Sequence, residues 1–264
     1  PDLRRRRLAG DHRMSGRRLL LALAGLALAC GARAEELRRF YGYAYEADSG
    51  RYLYTEVHAQ RFDHTRWLGG TIDYYAADGS RLGRKVLDFS RDAYAPQFRL
   101  EQSDGSLLAL VAAGNGVELQ RRRDGAAALE SKHVDGTAAP LCADAGLINL
   151  VQGHLAELEA GQHLRCTILA ADRLDSFRFD LYKVGESVRG GSRAVTLRLE
   201  PDSLLRLLAG PIELTYAPDT QRLLEMRGPS NIRDPRTHRT SQARVVYTDR
   251  PPPGAPDKLP PLGG

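Results

Sequence analysis

The chain has 264 residues, 42% of them hydrophobic and 27% charged, with 38 Lys and Arg against 33 Asp and Glu for a formal net charge of +5. The basic surplus sits at the start: residues 1–34 hold eight arginines and two aspartates, which leaves 30 basic and 31 acidic side chains, a net of −1, over residues 35–264. That near-neutral balance removes the argument from charge for binding DNA, RNA or an anionic membrane surface, and no nucleic-acid partner is expected.

In chain order, the first feature is Arg17-Arg18, an apolar run of eleven residues from Leu19 to Ala29, and Cys30-Gly-Ala32-Arg-Ala34-Glu35. A basic flank, a short greasy stretch and a small-x-small exit are the three parts of a secretory signal. The pattern predicts cleavage between Ala34 and Glu35 and a periplasmic or secreted product. Met14 reads as the natural start, with Pro1–Arg13 and its Arg4–Arg7 run as an N-terminal extension. Spanning a bilayer takes about 20 apolar residues, so the run is not a transmembrane helix. A lipoprotein anchored through Cys30 is the minor alternative. Leu28 stands where such signals carry a small or β-branched residue, which favours the later cut.

Two cysteines follow the cut, Cys142 and Cys166. In an oxidising compartment they are candidates for one disulfide, with two packed thiols as the equal alternative. Neither belongs to a Cys-x-x-Cys pair, which argues against a redox centre.

Residues 35–250 are expected to form a secreted β-rich domain, long enough for one sizeable core or two small ones. Predicted strands fall at 39–46, 52–60, 67–75, 85–89, 98–101, 107–112 and 117–122, then at 163–169, 177–184, 194–200, 212–217, 223–227 and 243–248. Several alternate between apolar and polar residues, as in Val195-Thr-Leu-Arg-Leu-Glu200, the mark of an antiparallel sheet with one wet face. An internal echo joins Tyr45-Glu-Ala-Asp48-Ser-Gly-Arg51, Tyr75-Ala-Ala-Asp78-Gly-Ser-Arg81 and Tyr216-Ala-Pro-Asp219-Thr-Gln-Arg222. Each copy reads as a hairpin turn, because Asp and Gly supply the local hydrogen bond and the positive φ of a tight reversal.

Two helices interrupt the strands. Asp144 is placed to cap a long helix over 145–160, with Leu147, Ile148, Leu150, Val151, Leu155 and Leu158 along one stripe and Gly161 as terminator. A short one follows Pro201-Asp-Ser over 204–208. The weakly patterned stretch 124–143 reads as an internal boundary, and the Pro/Gly-rich residues 251–264 as a disordered tail. The predicted fold class is mainly β (α+β): a curved antiparallel sheet or half-barrel with one long and one short helix packed on it.

The residues that carry chemistry are sparse. His58, His64, His133, His154, His163 and His238 include no i, i+4 pair for a metal on a helix, although His58 and His64 flank a loop and can meet across it. There is no Gly-x-Ser-x-Gly elbow and no phosphate-binding glycine loop. The sequence therefore predicts no catalytic residues, no cofactor and no metal site. Glu56, Asp73 and Glu225 lie in strands and read as solvated-face positions, since an acid/base pair would need two of them to converge. Glu200-Pro-Asp202 reads as helix capping. Ten aromatic residues between Phe40 and Tyr75 suggest one sheet face lined with rings, either as core or around an apolar ligand.

The phrases Arg193-Ala-Val-Thr-Leu-Arg-Leu-Glu-Pro-Asp-Ser203, Ile212-Glu-Leu-Thr-Tyr216, Arg222-Leu-Leu-Glu-Met-Arg-Gly-Pro-Ser-Asn-Ile232 and Gly50-Arg-Tyr-Leu-Tyr-Thr-Glu56 resemble those of a group of uncharacterised proteobacterial periplasmic proteins. At the level of fold, a sheet with a helix on it is similar to the half-barrel of periplasmic lipoprotein carriers, whose concave face holds acyl chains. That likeness implies an apolar or lipid-like ligand, and non-catalytic binding in the cell envelope is the leading expectation. The alternatives are an envelope-polymer hydrolase or lyase using Glu56 or Glu225, and an assembly module presenting a sheet edge.

Overall fold

The computed structural model describes residues 35–136, 140–201, 210–251 and 255. The predicted signal segment and the short helix over 204–208 lie outside the described residues, as does nearly all of the 251–264 tail. Among the described residues, fifteen strands form one sheet. The first seven are β1 (Glu36–Glu46), β2 (Tyr52–Asp63), β3 (Arg66–Tyr75), β4 (Arg81–Asp88), β5 (Gln97–Gln102), β6 (Leu107–Ala113) and β7 (Gly116–Arg122). Then come β8 (Glu130–Asp135), β9 (Leu141–Cys142), β10 (Leu164–Ala170) and β11 (Asp175–Arg189). The last four are β12 (Ser192–Pro201), β13 (Ile212–Ala217), β14 (Arg222–Arg233) and β15 (Thr240–Thr248).

Two of these were not expected: β8 and β9 fall in the stretch read as an internal boundary. The strand order is β8-β7-β6-β5-β4-β3-β2-β1-β15-β14-β13-β12-β11-β10-β9. The first and last strands therefore meet in the middle, Tyr41 opposite Thr248 and Glu46 opposite Ala243, and each half of the chain winds outward from that seam. Every pairing is antiparallel except the short parallel one of β9 with β10.

The three echoed segments are the turns of the β1–β2, β3–β4 and β13–β14 hairpins. Their local chemistry closes them: Gly50 and Gly79 take positive φ, and Asp78 Oδ1 accepts the Ser80 backbone N–H at 2.9 Å. In the third turn Gln221 adopts the left-handed conformation itself.

The sheet is strongly curved and stays open. One cluster of buried side chains (Tyr54, Trp67, Tyr74, Leu100, Leu110 and Leu119 among them) fills the hollow of β1–β7 and β15. A second (Phe179, Leu181, Leu197, Leu199, Leu214 and Leu223 among them) fills the hollow of β10–β14. The β9–β10 end belongs to both. Cys142 and Cys166 face the second cluster, while their strand neighbours Leu141, Ala143 and Leu169 face the first. A strand covered on both faces is what rolling the sheet inward produces, because alternate side chains then meet different cores. Across the roll, Lys132 on β8 pairs with Asp175 at 2.7 Å and Arg121 Nη1 donates to the Asp172 carbonyl at 2.7 Å. These contacts shield the outer edge strand without a backbone ladder.

The expected long helix is divided. Helix α1 spans Gly146–Gly153 and α2 spans Leu155–Glu159, with His154 between them at φ −122° and ψ 14°. Leu150, Val151, Leu155 and Leu158 still make one buried stripe over the second cluster. The break falls at Gly153-His154, where the weakest helix former of the segment meets a residue of low propensity. Asp144 does not act as the expected cap. It lies one residue earlier, at positive φ, and its carboxylate accepts the Ala145 N–H at 2.8 Å while turning its other oxygen inward.

Candidate functional site

Alternation on β2 puts Tyr54, Glu56, His58 and Gln60 in one inward row. Glu56, His58 and Gln60 are linked in series, with Trp67 at the end of the chain. Trp67 Nε1 donates to Gln60 Oε1 at 2.7 Å, Gln60 Nε2 lies 3.3 Å from His58 Nδ1, and His58 Nε2 lies 2.9 Å from Glu56 Oε2. Reading donors and acceptors along that chain places the imidazole proton on Nε2. Phe40 stacks on the His58 ring at 4.3 Å, and Tyr247 meets it edge-on at 5.8 Å. Opposite Glu56 on β1 stands Gly42, where a Cβ would come within 2.8 Å of Glu56 Oε2; glycine makes room for the carboxylate. Burial first, and the Glu56 charge second, hold the Tyr54, Tyr74 and Tyr247 phenols well above their ordinary range.

A second buried polar group joins separate parts of the chain. Lys85 Nζ on β4 pairs with Asp144 Oδ2 at 2.6 Å, and Asn231 Nδ2 reaches the same oxygen at 3.3 Å. Nearby, Tyr54 Oη and Ser230 Oγ are 2.8 Å apart, and Gln102 Oε1 accepts the Arg233 N–H at 2.9 Å. The end of β14 is thereby stitched across the mouth of the first hollow.

The strand carboxylates do not converge. Glu225 stands opposite Val246, Val246 opposite Tyr43, and Tyr43 opposite Thr55, so Glu225 shares a face with Thr55 and the reverse face from Glu56. It is ringed there by Arg227 at 3.1 Å, Arg244 at 3.3 Å and Arg189 at 3.7 Å. Asp73 faces outward too, between Arg81 and Arg84. Reading Glu56 and Glu225 as solvated-face residues is corrected: both are buried, one inside the roll and one beneath arginines. His58 and His64, which flank the β2–β3 turn, do not meet across it. His58 points inward, while His64 sits exposed in the β2–β3 turn at positive φ, 3.8 Å from Asp63. The aromatic residues divide between the faces, with Tyr54, Trp67 and Tyr74 inside and the Tyr41–Tyr43 pair on the reverse side of β1.

Both Cys142 and Cys166 are free thiols, buried against the helices. Cys142 pairs with Ile168, two residues beyond Cys166, which makes the cysteines diagonal neighbours across the short parallel ladder. Burial pushes the Cys166 thiol up to about 12 and the Cys142 thiol well above its ordinary value. Tyr216, fully buried in the same cluster, has a phenol raised by burial first and by the neighbouring Cys142 second; its hydroxyl has no hydrogen-bond partner. A cleft of about 210 Å³ opens beside this compartment, lined by His154, Glu157, Leu158, Gln162, His163 and Leu164. Leu158 and Leu164 also belong to the apolar cluster beneath.

No family model and no curated protein matches the sequence. Among solved structures, the chain is similar to a β-barrel-like protein of the domain of unknown function DUF1849 from Brucella abortus. The two share 10% identity at a TM-score of 0.47, over 83% of this chain and 100% of that one.

Chemically, the imidazole at the centre of the inner polar row is fully engaged. Both ring nitrogens of His58 are held by neighbours on its own strand, so neither faces a nucleophile as a general base requires. Among the described residues no group of three or more His, Cys, Asp or Glu is placed to hold a metal ion, and no helix is long and apolar enough to cross a membrane. The open chemistry lies in the other half, where an apolar wall is covered by a broken helix.

Proposed function

We propose that the protein is a non-catalytic binding protein of the cell envelope that holds an apolar or lipid-like ligand against the concave face of β10–β14. The observation that carries this reading is the make-up of that face. Phe179, Leu181, Leu197, Leu199, Leu214 and Leu223 form a continuous apolar wall, and the described cover over it is the pair of short helices. Burying such a wall under a ligand stabilises the complex by roughly 25 cal/mol per Å² of apolar area. The cover is two helices of eight and five residues with no side-chain cap on either N-terminus, and a ligand that takes their place must offset the burial of Leu150, Val151, Leu155 and Leu158. An enzyme working through Glu56 and Glu225 is disfavoured, because those carboxylates occupy opposite faces of the sheet.

The full chain, exported to the periplasm of a bacterial host and purified without detergent, is extracted with organic solvent and the extract analysed by mass spectrometry. A fluorescent fatty-acid analogue is titrated into the delipidated protein in parallel. A co-purifying lipid or saturable binding supports the reading, and the absence of both overturns it.

A further inference from the structure

Among the described residues, the apolar compartment of β10–β14 contains one polar side-chain group with nothing to bond. Tyr216 sits on β13, opposite Val195 on β12, and its ring lies in the cluster formed by Leu197, Leu214, Leu223 and the helices. Its hydroxyl is fully buried and has neither donor nor acceptor within reach. An unsatisfied buried hydroxyl is destabilising, and phenylalanine would fill the same space without that cost. Buried hydroxyls without a partner also occur at Tyr43, on the reverse face of β1, and at Ser106, between β5 and β6, but the large polar groups of the first hollow are bonded. There Tyr54 is bonded to Ser230, Trp67 to Gln60 and Lys85 to Asp144.

We infer that Tyr216 is the polar anchor of the ligand site, and that the ligand is a chain molecule carrying an oxygen acceptor, such as the carbonyl of an acyl ester, rather than a plain hydrocarbon. The proposal rests on the binding function argued above. The phenol donates its proton to that acceptor, while the chain lies along the leucine wall in place of the helical cover. The cleft between His154 and His163 supplies the mouth. It adjoins the break between α1 and α2, its rim is polar, and its floor residues Leu158 and Leu164 are shared with the compartment. An amphiphile entering there meets polar groups first and apolar ones behind them, in the order of its own head and chain.

Two probes of equal chain length, methyl laurate and dodecane, are competed against a bound fluorescent fatty-acid analogue on the full chain and on Tyr216→Phe. The unmodified protein is expected to prefer the ester by about fivefold to tenfold, the range of one buried neutral hydrogen bond. Tyr216→Phe is expected to bind both probes alike and to unfold at a higher temperature when empty. Equal affinity for both probes in the unmodified protein overturns this inference and leaves the apolar-ligand reading standing. So does an ester preference that survives in Tyr216→Phe. Failure of both probes to compete overturns the two together.

Discussion

Lys85 Nζ lies 2.6 Å from Asp144 Oδ2, joining residues 59 positions apart, with both side chains almost wholly withdrawn from solvent. The pair ties β4, on the wall of the first hollow, to the residue that launches the helices over the second. A lone buried charge is costly, so losing either partner matters more than the pair's own net worth. Lys85→Met or Asp144→Asn is expected to destabilise the fold by ~3–5 kcal/mol, read from urea unfolding. The double replacement Lys85→Met with Asp144→Asn should recover part of that loss, because asparagine tolerates the positive φ and keeps an acceptor for the Ala145 N–H while no charge is left buried. Single losses below about 1 kcal/mol would show that the pair does not clamp the helix start.

Local chemistry made the hairpins readable. Asp48, Asp78 and Asp219 mark turns whose geometry needs nothing beyond their own few residues, and the structure closes a hairpin at each. Strand β8 was invisible for the opposite reason: Ser131-Lys-His-Val-Asp135 is an exposed edge with almost no apolar face to alternate. The inward row Tyr54, Glu56, His58 and Gln60 was legible as a shared face. Whether that face met water or a core depended on the roll of the whole sheet, which no local pattern encodes. Tyr216 shows the same limit. It falls in the predicted strand 212–217, but its place opposite Val195 and the isolation of its hydroxyl come from packing alone.

The two cysteines should behave as protected thiols in the folded protein. Burial holds Cys166 near 12 in its titration, against an ordinary thiol value of 9.0. Because the folded value is raised, the neutral thiol's contribution to stability is fully present below pH 9 and is lost as the pH climbs towards 12. Iodoacetamide at pH 8 is expected to leave both residues unmodified in the native protein and to alkylate both in urea. A native-state Cys142–Cys166 crosslink after oxidation with a small disulfide would require the β9–β10 ladder to shift, since diagonal partners lie about 7–8 Å apart, beyond ordinary disulfide reach.

At the end of the β11–β12 hairpin, Arg193 donates to both oxygens of Glu186 through one guanidinium edge, Nε and Nη2, while its Nη1 reaches Glu159; Lys183 adds a third contact to Glu186 at 3.0 Å. The Arg193 hydrogen bonds, with Lys183 behind them, hold the carboxyl down at about 2, against an ordinary 4.5. A depressed value means that the ion cluster is complete above pH 4.5 and dissolves as the pH falls through about 2. Carboxyl chemical shifts followed by NMR should show Glu186 still ionised at pH 3.5. Arg193→Ala should move its midpoint back towards 4.5 while leaving the overall fold intact, because the cluster is on the surface. A midpoint unchanged by that substitution would place the cause elsewhere.

Helix α1 starts on a glycine for a steric reason, and two alanine substitutions separate that reason from helix propensity. A Cβ at Gly146 would lie 1.9 Å from the Tyr94 carbonyl oxygen and 2.4 Å from its carbon. That carbonyl is fixed: it accepts the Ala143 N–H at 2.9 Å, and the loop around it is pinned by Asp92 Oδ1, which accepts the N–H groups of Tyr94 and Ala95. Neither side can yield without breaking those bonds, so Gly146→Ala should cost ~1–3 kcal/mol or more, although alanine is the better helix former. At Gly153 the added Cβ would meet only the tip of the Tyr94 ring, at 3.3 Å, and a side chain can swing aside. Gly153→Ala is therefore expected to be neutral, or stabilising by up to about 1 kcal/mol, and to strengthen the weak joint before His154. Urea unfolding of the two variants side by side checks the pair. Equal effects would mean that the seat of the helix on Tyr94 does not control its position. Because the helices cover the apolar wall, Gly146→Ala should also admit the fluorescent fatty-acid analogue faster than the unmodified chain, and Gly153→Ala more slowly.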